Sequence, residues 1–319
     1  MERFPLPQDH IVLSFLPPFH SFGFTVGTIL PLVAGVRIAY SPDPTDAATI
    51  VRLVQHTQAT LTMGTPTFLR MLLAQAQTDE LASLRMVISG AEACPPRLMQ
   101  DFRTRLPQVE LCEGYGITEC APVVSINPPG QQRAQSVGKL IGGMECVVTD
   151  LEDDTPLPID KTGMLNLRGP NVFAGYLGDD APNPFVEIAG KRYYRTGDLG
   201  HLDNEGYLCI TGRLKRFLKL GGEMVSLPGI EQMLSAHFAA TGAEGEPLLA
   251  VEGDDTDGQP RIVLFCVEHI ELAEANAALR QAGASNLIQL DAVRKLESIP
   301  VLGTGKVDYK QLKTLLGTK

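Results

Sequence analysis

The 319-residue sequence contains no tryptophan, and aromatic residues make up only 6% of it. It also lacks an excess of positive charge, because 37 acidic residues outnumber 27 basic ones and give a formal net charge of −10. Proteins that bind nucleic acid usually present a basic face, so this balance argues against nucleic acid as a partner. A net negative charge is still compatible with a small anionic ligand that a few local cations hold.

Cysteines are few and widely spaced. The six cysteines include no C-x-x-C pair, so the sequence does not predict a zinc site. Scattered thiols without a disulfide framework are typical of a reducing compartment, and we expect a cytoplasmic protein.

Long uninterrupted apolar runs are also missing. The most apolar segment, residues 11–40, is broken by three prolines, a histidine and an arginine. A membrane-spanning helix needs about 20 mainly apolar residues, so we predict strand, loop and helix here. Residues 1–8 lack the basic region and apolar core of a signal peptide, and we expect none.

Short apolar runs alternate with helical spacing over residues 1–137. Ile11–Phe15, Arg85–Ser89 and Val109–Cys112 predict buried strands, and Pro95–Leu106 predicts a helix. This alternation predicts an α/β unit with a mostly parallel sheet. Further predicted elements are helices at Gly23–Leu32, Asp46–His56 and from Pro66, and strands at Val36–Tyr40 and Thr60–Met63.

The sequence pattern changes near residue 138, where the apolar segments become short and strand-like and are separated by glycines. Residues 138–212 therefore predict a small β-rich subdomain, and residues 213–319 a separate α+β domain. The elements predicted in these two parts are strands at Glu145–Asp150, Met164–Arg168, Tyr207–Thr211, Leu248–Val251, Ile262–Val267 and Leu287–Leu290, and helices at Pro228–Phe238, Ala273–Ala282 and Tyr309–Leu316.

The stretch Glu113–Asn127, EGYGITECAPVVSIN, has side chains that suit a nucleotide with its metal ion. Two glycines flanking the tyrosine permit a tight turn after the preceding strand. Tyr115 offers a flat ring, Thr118 a hydroxyl and Glu119 a hard anionic oxygen. The alternative is a strand–turn–helix junction with a capping threonine.

A second short loop, Gly90–Glu92, also follows a predicted strand. In parallel sheets, ligands bind outside the carboxyl ends of the strands. Two such loops at equivalent places favour a ligand site over a simple junction.

Three later motifs carry chemistry of their own. In YRTGDLG, Asp198 is predicted to lie in a turn; GRLKRFLKLGGEMVSL is rich in cations; and PVLGTGKVD places Lys306 on a glycine-containing turn. Each has a structural alternative, namely an ordinary turn aspartate, a solvated basic connector and a loop before a helix.

Together, and in this order, PPFHSFG, SGAEA, EGYGITECAPVVSIN, YRTGDLG, GRLKRFLKLGGEMVSL and PVLGTGKVD resemble the acyl-adenylate-forming (AMP-binding) superfamily. That superfamily includes acyl-CoA synthetases, luciferases and peptide-synthetase adenylation domains. ECAPVVSIN and GGEMVSL are most similar to acyl-acyl carrier protein synthetases that are joined to a 2-acylglycerophosphoethanolamine acyltransferase. The resemblance runs from about residue 10 to the C-terminus.

The resemblance implies an acid–thiol ligase that uses ATP and Mg²⁺. It would activate a long-chain fatty acid to acyl-AMP and transfer the acyl group to the thiol of acyl carrier protein. Coenzyme A (CoA) as the acceptor is one alternative, and a non-catalytic remnant that binds nucleotide or carrier protein is another. A separate acyltransferase part would place the protein at the inner face of the membrane.

A nucleotide site made from several stretches is also implied. Tyr115 resembles the ring that packs on the adenine, Thr118 the phosphate contact and Glu119 the Mg²⁺ ligand, while Asp198 resembles the carboxylate that holds the ribose hydroxyls. Gly90–Glu92 resembles the adenine-side loop. The full set implied for the nucleotide is Gly90, Ala91, Glu92, Glu113, Gly114, Tyr115, Gly116, Thr118, Asp198 and Arg213.

Catalytic roles are implied for two lysines as well. Lys306 matches the mobile lysine that stabilises charge during adenylate formation, and Lys219 matches the lysine used in the second half-reaction. Lys215 falls at the hinge of the small domain. His20 matches an aromatic gate near the acyl pocket, although a lone histidine in an apolar loop is more often a structural hydrogen-bonder. The apolar residues 14–32 are expected to be buried and to help line an acyl tunnel.

The superfamily's phosphate loop, of the form TSGTTGxPK, does not occur in the sequence. We therefore expect residues 1–137 to be the C-terminal portion of the AMP-binding subdomain, and this chain alone to be weakly active or inactive. No histidine is followed by aspartate as H-x-x-x-x-D, so glycerolipid acyltransferase activity is not predicted.

Overall fold

A computed structural model divides the chain into two units, Met1–Ile210 and Thr211–Lys319. The predicted division into three parts, 1–137, 138–212 and 213–319, stays a prediction. Gly221 and Gly222, which argue against one long helix in the cation-rich motif, and Gly303 and Gly305, in the turn predicted before Lys306, lie outside the described residues. The structure describes residues 9–77, 79–178, 180–220, 223–238, 247–254, 260–285, 287–302 and 306–316.

Seven strands form the main sheet of the first unit. They are β1 (Ile11–Ser14), β2 (Arg37–Tyr40), β3 (Leu61–Gly64), β4 (Met86–Ser89), β5 (Glu110–Gly116), β6 (Val123–Ile126) and β7 (Lys139–Leu140). Their order is β2-β1-β3-β4-β5-β6-β7. The first five run parallel, and β6 and β7 add antiparallel pairs. The predicted α/β class with a mostly parallel sheet is confirmed.

Helices α1 (Leu30–Ala34), α2 (Ala47–Thr57), α3 (Pro66–Gln75) and α4 (Pro96–Arg105) lie between the parallel strands in the chain. The start of α3 shows why it forms. The Thr65 hydroxyl accepts the Phe68 amide at 3.4 Å, and Pro66 occupies the first turn, where its missing N–H costs no helical bond. The predicted apolar face is buried, with Leu69 at 0% exposure. Burying each such side chain contributes about 1.5–3 kcal/mol to the free energy of folding.

The apolar segment that follows β1 is less buried than the sequence predicts. Residues Phe22–Ile29 form a π-helix that runs directly into α1. The expectation that residues 14–32 are buried is wrong for Phe19, Phe24 and Leu32, which are 83%, 50% and 62% exposed. The segment buries one side on the sheet and presents apolar side chains on the other, so its apolar character alone did not indicate its burial.

A second sheet follows in the chain. Its strands are β8 (Glu145–Thr149), β9 (Gly163–Arg168), β10 (Phe185–Ile188), β11 (Lys191–Leu202) and β12 (Leu208–Arg213). The order is β10-β11-β9-β8, and β12 pairs with β11. The pairings from β8 to β11 are antiparallel. The change to β-rich structure predicted near residue 138 is confirmed.

The turn predicted at Asp198 is wrong, because β11 continues through it to Leu202. A β-bulge takes its place. The register shifts between Arg195 and Leu199, and Gly197 has a φ of 75°, which glycine adopts without strain. Asp198, inside the bulge, is 2% exposed.

The tight turn predicted at Gly114 and Gly116 is also wrong. Both residues lie in β5, which pairs with β6. A Cβ on Gly116 would lie 2.5 Å from the Pro122 carbonyl oxygen, and one on Gly114 would lie 3.1 Å from the Ser125 carbonyl oxygen. These glycines therefore allow a close approach of two backbones rather than a turn.

The second unit is a small α+β arrangement. Its elements are a hairpin of β13 (Phe217–Leu220) and β14 (Glu223–Ser226), a sheet of β15 (Leu249–Asp254), β16 (Arg261–Cys266) and β17 (Ala292–Lys295), and helices α5 (Leu227–Phe238), α6 (Leu272–Gln281) and α7 (Tyr309–Leu316). Among the described residues, no helix is long and apolar enough to cross a membrane.

The strand predicted at Leu287–Leu290 is wrong, and the observed strand is β17. The Asn276 side chain explains the difference. Its amide nitrogen donates to the Leu290 carbonyl at 3.1 Å, and its carbonyl oxygen accepts the Leu290 amide at 2.8 Å. Leu290 is thus buried at 1% exposure with its backbone bonded to a side chain instead of a neighbouring strand.

Candidate functional site

Two of the predicted motifs meet through Tyr115 and Asp198. The Tyr115 hydroxyl donates a hydrogen bond to Asp198 Oδ2. The Asp198 amide donates to Thr196 Oγ1 at 2.9 Å, and that hydroxyl donates to the Leu165 carbonyl at 2.8 Å. A carboxylate this buried is costly unless it is hydrogen-bonded, so the bulge and the tyrosine together fix it in place.

The Gly90–Glu92 loop lies against β5. The Gly90 amide donates to the Gly64 carbonyl at 3.2 Å. A Cβ on Gly90 would lie 3.3 Å from the Phe22 ring and 3.5 Å from the Gly114 carbonyl oxygen. Ala91 has a φ of 74°, an uncommon value for a residue with a side chain. The structure therefore brings two predicted nucleotide loops side by side.

Glu113 is buried and turned toward this loop. It is 7% exposed, and its Oε1 accepts the Cys94 backbone amide at 2.8 Å. Burial raises the pKa of the Glu113 carboxyl to about 7. Burial likewise raises the pKa of the Cys94 thiol to about 12, with the Glu113 charge adding to the effect.

Thr118 connects the third predicted loop. Its hydroxyl lies 3.2 Å from Ser21 Oγ, so PPFHSFG and EGYGITE are in contact. Beside them, His20 Nδ1 accepts the Phe22 amide at 3.2 Å. One ring nitrogen of His20 thus makes a structural hydrogen bond, which was the alternative to a functional role. The role of His20 as a gate near the acyl pocket stays a prediction.

Glu119 lies in a short 3₁₀ turn, Thr118–Cys120. Its Oε1 accepts the Tyr176 hydroxyl at 2.8 Å, and its carbonyl accepts the Phe173 amide at 2.8 Å. A carboxylate with a hydroxyl beside it is a hard oxygen donor set of the kind Mg²⁺ prefers. Since Mg²⁺ is often held by one or two carboxylates together with substrate phosphates, Glu119 fits the implied ion.

Sequence reasoning missed the segment that supports Glu119. Asn171 Nδ2 donates to the Cys120 carbonyl at 2.6 Å and to the Val123 carbonyl at 3.0 Å, which closes the turn from behind. Phe173 packs edge-on against Tyr176 with ring centroids 4.9 Å apart. Two aromatic residues three positions apart, in a sequence with 6% aromatic content, were the signal that could have identified this segment.

The remaining predicted residues belong to the second unit. Arg213, Lys215 and Lys219 are exposed, at the end of β12, in a 3₁₀ turn and in β13, respectively. Lys306 is partly exposed shortly before α7, and its carbonyl accepts the Leu302 amide at 2.7 Å. The roles of all four stay predictions.

Arg216 contrasts with its neighbouring cations. It donates to Glu231 at 2.9 Å and to Glu252 at 2.9 Å, and its guanidinium lies 3.5 Å from the centroid of the Tyr309 ring. The Tyr309 hydroxyl donates to Glu231 at 3.0 Å. The reading of this motif as a solvated connector therefore fits Lys215 but not Arg216.

Curated relatives match most of the chain. It is 29% identical over 317 residues to a 4-coumarate–CoA ligase-like protein of Arabidopsis thaliana, covering 97% of this chain and 55% of the relative. It is 34% identical over 234 residues to the indoleacetate–CoA ligase of Aromatoleum aromaticum, covering 72% of this chain and 44% of the relative. The chain thus spans about half the length of these relatives.

Solved structures share the fold. The crystal structure of ATP-bound MatB from Rhodopseudomonas palustris matches with a TM-score of 0.83 and 25% identity, covering 99% of this chain and 62% of that one. The AMP complex of O-succinylbenzoate–CoA synthetase from Bacillus subtilis matches with a TM-score of 0.80 and 22% identity, covering 97% and 61%.

A family model shows where the chain belongs. The model described as AMP-binding enzyme matches residues 1–177, more than half of the sequence and all of the stretches around Gly90, Tyr115 and Glu119. The chain therefore belongs to the AMP-binding enzyme family.

Proposed function

We propose that this chain carries the nucleotide site of an adenylate-forming acid–thiol ligase. In such a reaction, a carboxylate attacks the α-phosphate of ATP, releasing pyrophosphate, and a thiol then displaces AMP from the acyl-AMP. The observation that carries the proposal is the hydrogen bond between Tyr115 and Asp198, which joins two motifs 83 residues apart in a member of the AMP-binding family.

The side chains have the proposed roles that the family resemblance implies, and their chemistry suits those roles. Tyr115 stacks on the adenine, Asp198 accepts the ribose hydroxyls and Thr118 donates to a phosphate. Glu119 would hold Mg²⁺, which would neutralise charge on the phosphates. Lys306 stabilises negative charge during adenylate formation, because the attacking carboxylate and the phosphate are both anions.

The acid and the acceptor form the finer part of the proposal. The ECAPVVSIN and GGEMVSL motifs support a long-chain fatty acid and acyl carrier protein, with attachment at the inner face of the membrane through a separate acyltransferase part. A second candidate is an aromatic carboxylic acid with CoA, which the names of the 4-coumarate–CoA and indoleacetate–CoA ligases favour. Parallel assays with palmitate and 4-coumarate, each with both acceptors, discriminate between them.

Replacing Asp198 by asparagine is expected to weaken AMP binding at least about tenfold, because a hydrogen bond to a charged acceptor contributes about 1.5–3 kcal/mol. Calorimetric titration of the purified chain with AMP and with ATP·Mg²⁺ measures this. The matched control is Glu187→Gln, an exposed carboxylate in the same sheet, which should bind as the wild type does. Wild-type protein without affinity for either nucleotide, or equal affinity in Asp198→Asn, would contradict the proposed site.

The two lysines are expected to separate the half-reactions. In a protein that joins this chain to a phosphate-loop region, Lys306→Ala should lower ATP–pyrophosphate exchange about 10²–10³-fold, whereas Lys219→Ala should spare exchange and block thioester formation. Equal loss of both steps in both variants would contradict the assignment. For the chain alone we expect little exchange with palmitate, and robust exchange would overturn that expectation.

A further inference from the structure

Glu113 is a buried carboxylate directed at a loop rather than at solvent. On β5 it lies in register with Ser89, the last residue of β4, and it is 7% exposed. Its Oε1 accepts the Cys94 amide at 2.8 Å. This hydrogen bond ties β5 to the chain immediately after the Gly90–Glu92 loop.

We propose that Glu113 is a positioning residue whose carboxylate fixes the loop of residues 90–94 against β5 and thereby sets the affinity of the site for nucleotide. The inference rests on the proposed function, since the adenine-side role of this loop belongs to that proposal. Glu113 acts through the Cys94 amide and needs no contact with the nucleotide itself.

The geometry of the loop explains why it needs such a tie. Ala91, with a φ of 74°, adopts a conformation that is costly for a residue with a Cβ and persists only when its surroundings impose it. At one end, the Gly90 amide is bonded to the Gly64 carbonyl at 3.2 Å. At the other end, the Cys94 amide is bonded to Glu113. Losing either bond removes one of the two backbone hydrogen bonds that flank the strained residue.

The charge of Glu113 is expected to change near neutral pH. Burial raises the pKa of its carboxyl to about 7, and the Cys94 amide is the contact that opposes this rise. Among the neighbouring groups, burial raises the pKa of the Cys94 thiol to about 12, and Ser89 carries a neutral hydroxyl beside that thiol. The Arg70 guanidinium, whose pKa is lowered by burial, interacts with Glu92 and Cys94. A carboxylate accepts a stronger hydrogen bond than a neutral carboxyl, so the loop is held more firmly above pH 7 than below it.

The contact is tested without any ligand by labelling the six cysteines with ¹⁵N and following their amide signals with pH. Loss of one signal in Cys94→Ala assigns the Cys94 resonance. In wild-type protein that resonance should titrate with a midpoint near pH 7, and in Glu113→Gln it should not. A Cys94 signal that does not respond to pH across this range in the wild type would overturn the inference.

The consequence for binding is tested by titrating AMP into the same proteins at pH 6 and pH 8. Because the AMP phosphate itself ionises, the measured quantity is the ratio of wild-type to Glu113→Gln affinity. We expect this ratio to rise about fivefold from pH 6 to pH 8. The control is Glu110→Gln on the same strand, whose carboxylate bonds to Gly130 and Gln132 instead, and which should follow the wild type.

The outcomes separate the two levels of the proposal. A wild-type to Glu113→Gln ratio that is the same at both pH values overturns the inference and leaves the nucleotide site intact. If the wild type binds no AMP at either pH, the proposed function is overturned, and with it the claim that Glu113 sets nucleotide affinity. A Cys94 amide signal that titrates near pH 7 would in that case still support the contact between Glu113 and the loop.

Discussion

Replacing Arg216 by alanine is expected to lower the free energy of unfolding of the second unit by about 3–5 kcal/mol. The variant leaves Glu231 and Glu252 without the cation that bonds to both. Their side chains are only 15% and 7% exposed, so water cannot replace the lost partner well. Burial already raises the pKa of Glu231, and Arg216 is the main influence opposing that rise.

The measurement is amide hydrogen exchange of the full chain in the native state, read at peptide resolution over α5 and α7. Arg216→Ala should raise exchange in both helices, because Glu231 lies in α5 and Tyr309, bonded to it, begins α7. The control is Lys215→Ala, which removes the neighbouring exposed cation and should change stability by less than about 0.5 kcal/mol. Equal protection of α5 and α7 in Arg216→Ala and Lys215→Ala would contradict the prediction.

Raising the pH from 4.5 to 7 is expected to cost the wild type about 3 kcal/mol of unfolding free energy that Glu113→Gln does not lose. The sign follows from the direction of the shift. Burial raises the pKa of Glu113 from 4.5 in the unfolded chain to about 7 in the folded one, so between these values the folded state holds a proton that the unfolded state has released. The stabilisation is complete below pH 4.5 and is lost as the pH rises through 7.

Urea unfolding followed by circular dichroism at several pH values tests this linkage, with the first unit's transition as the readout. The informative quantity is the difference between wild type and Glu113→Gln, because other carboxylates titrate in both proteins. Glu110→Gln should run parallel to the wild type. Parallel curves for wild type and Glu113→Gln would show that Glu113 is not the group responsible.

Local sequence patterns predicted the main sheet well. The strand before Gly90 and the helix that begins at Pro66 are set by apolar spacing and capping within a few neighbouring residues, and both are observed. Such elements are encoded locally. The sequence also identified Tyr115 and Asp198 as candidates, although only the structure shows that they share a hydrogen bond.

The failures share one physical cause, namely a contact that the spacing of residue types along the chain does not show. A side chain at position 116 would meet the Pro122 carbonyl, and Asp198 is buried within a β-bulge of β11 where a turn was predicted. Arg216 and Lys219 look alike in one basic motif, yet Arg216 faces Glu231 while Lys219 is exposed. The sequence pattern around Arg216 and Lys219 does not show which residues pack against each side chain in the folded protein. It therefore cannot predict which of the two cations is paired and which is exposed.

The reactivity of the buried cysteines is expected to report local unfolding of the chain. Burial raises the pKa of Cys94 and Cys120 to about 12, so at pH 8 about one thiol in ten thousand is a reactive thiolate. Cys266, 1% exposed, occupies the same kind of environment in the second unit. Alkylation at these positions is therefore limited by local unfolding, and mass spectrometry of the labelled peptides would time the opening of each unit separately in a protein that has no tryptophan to follow.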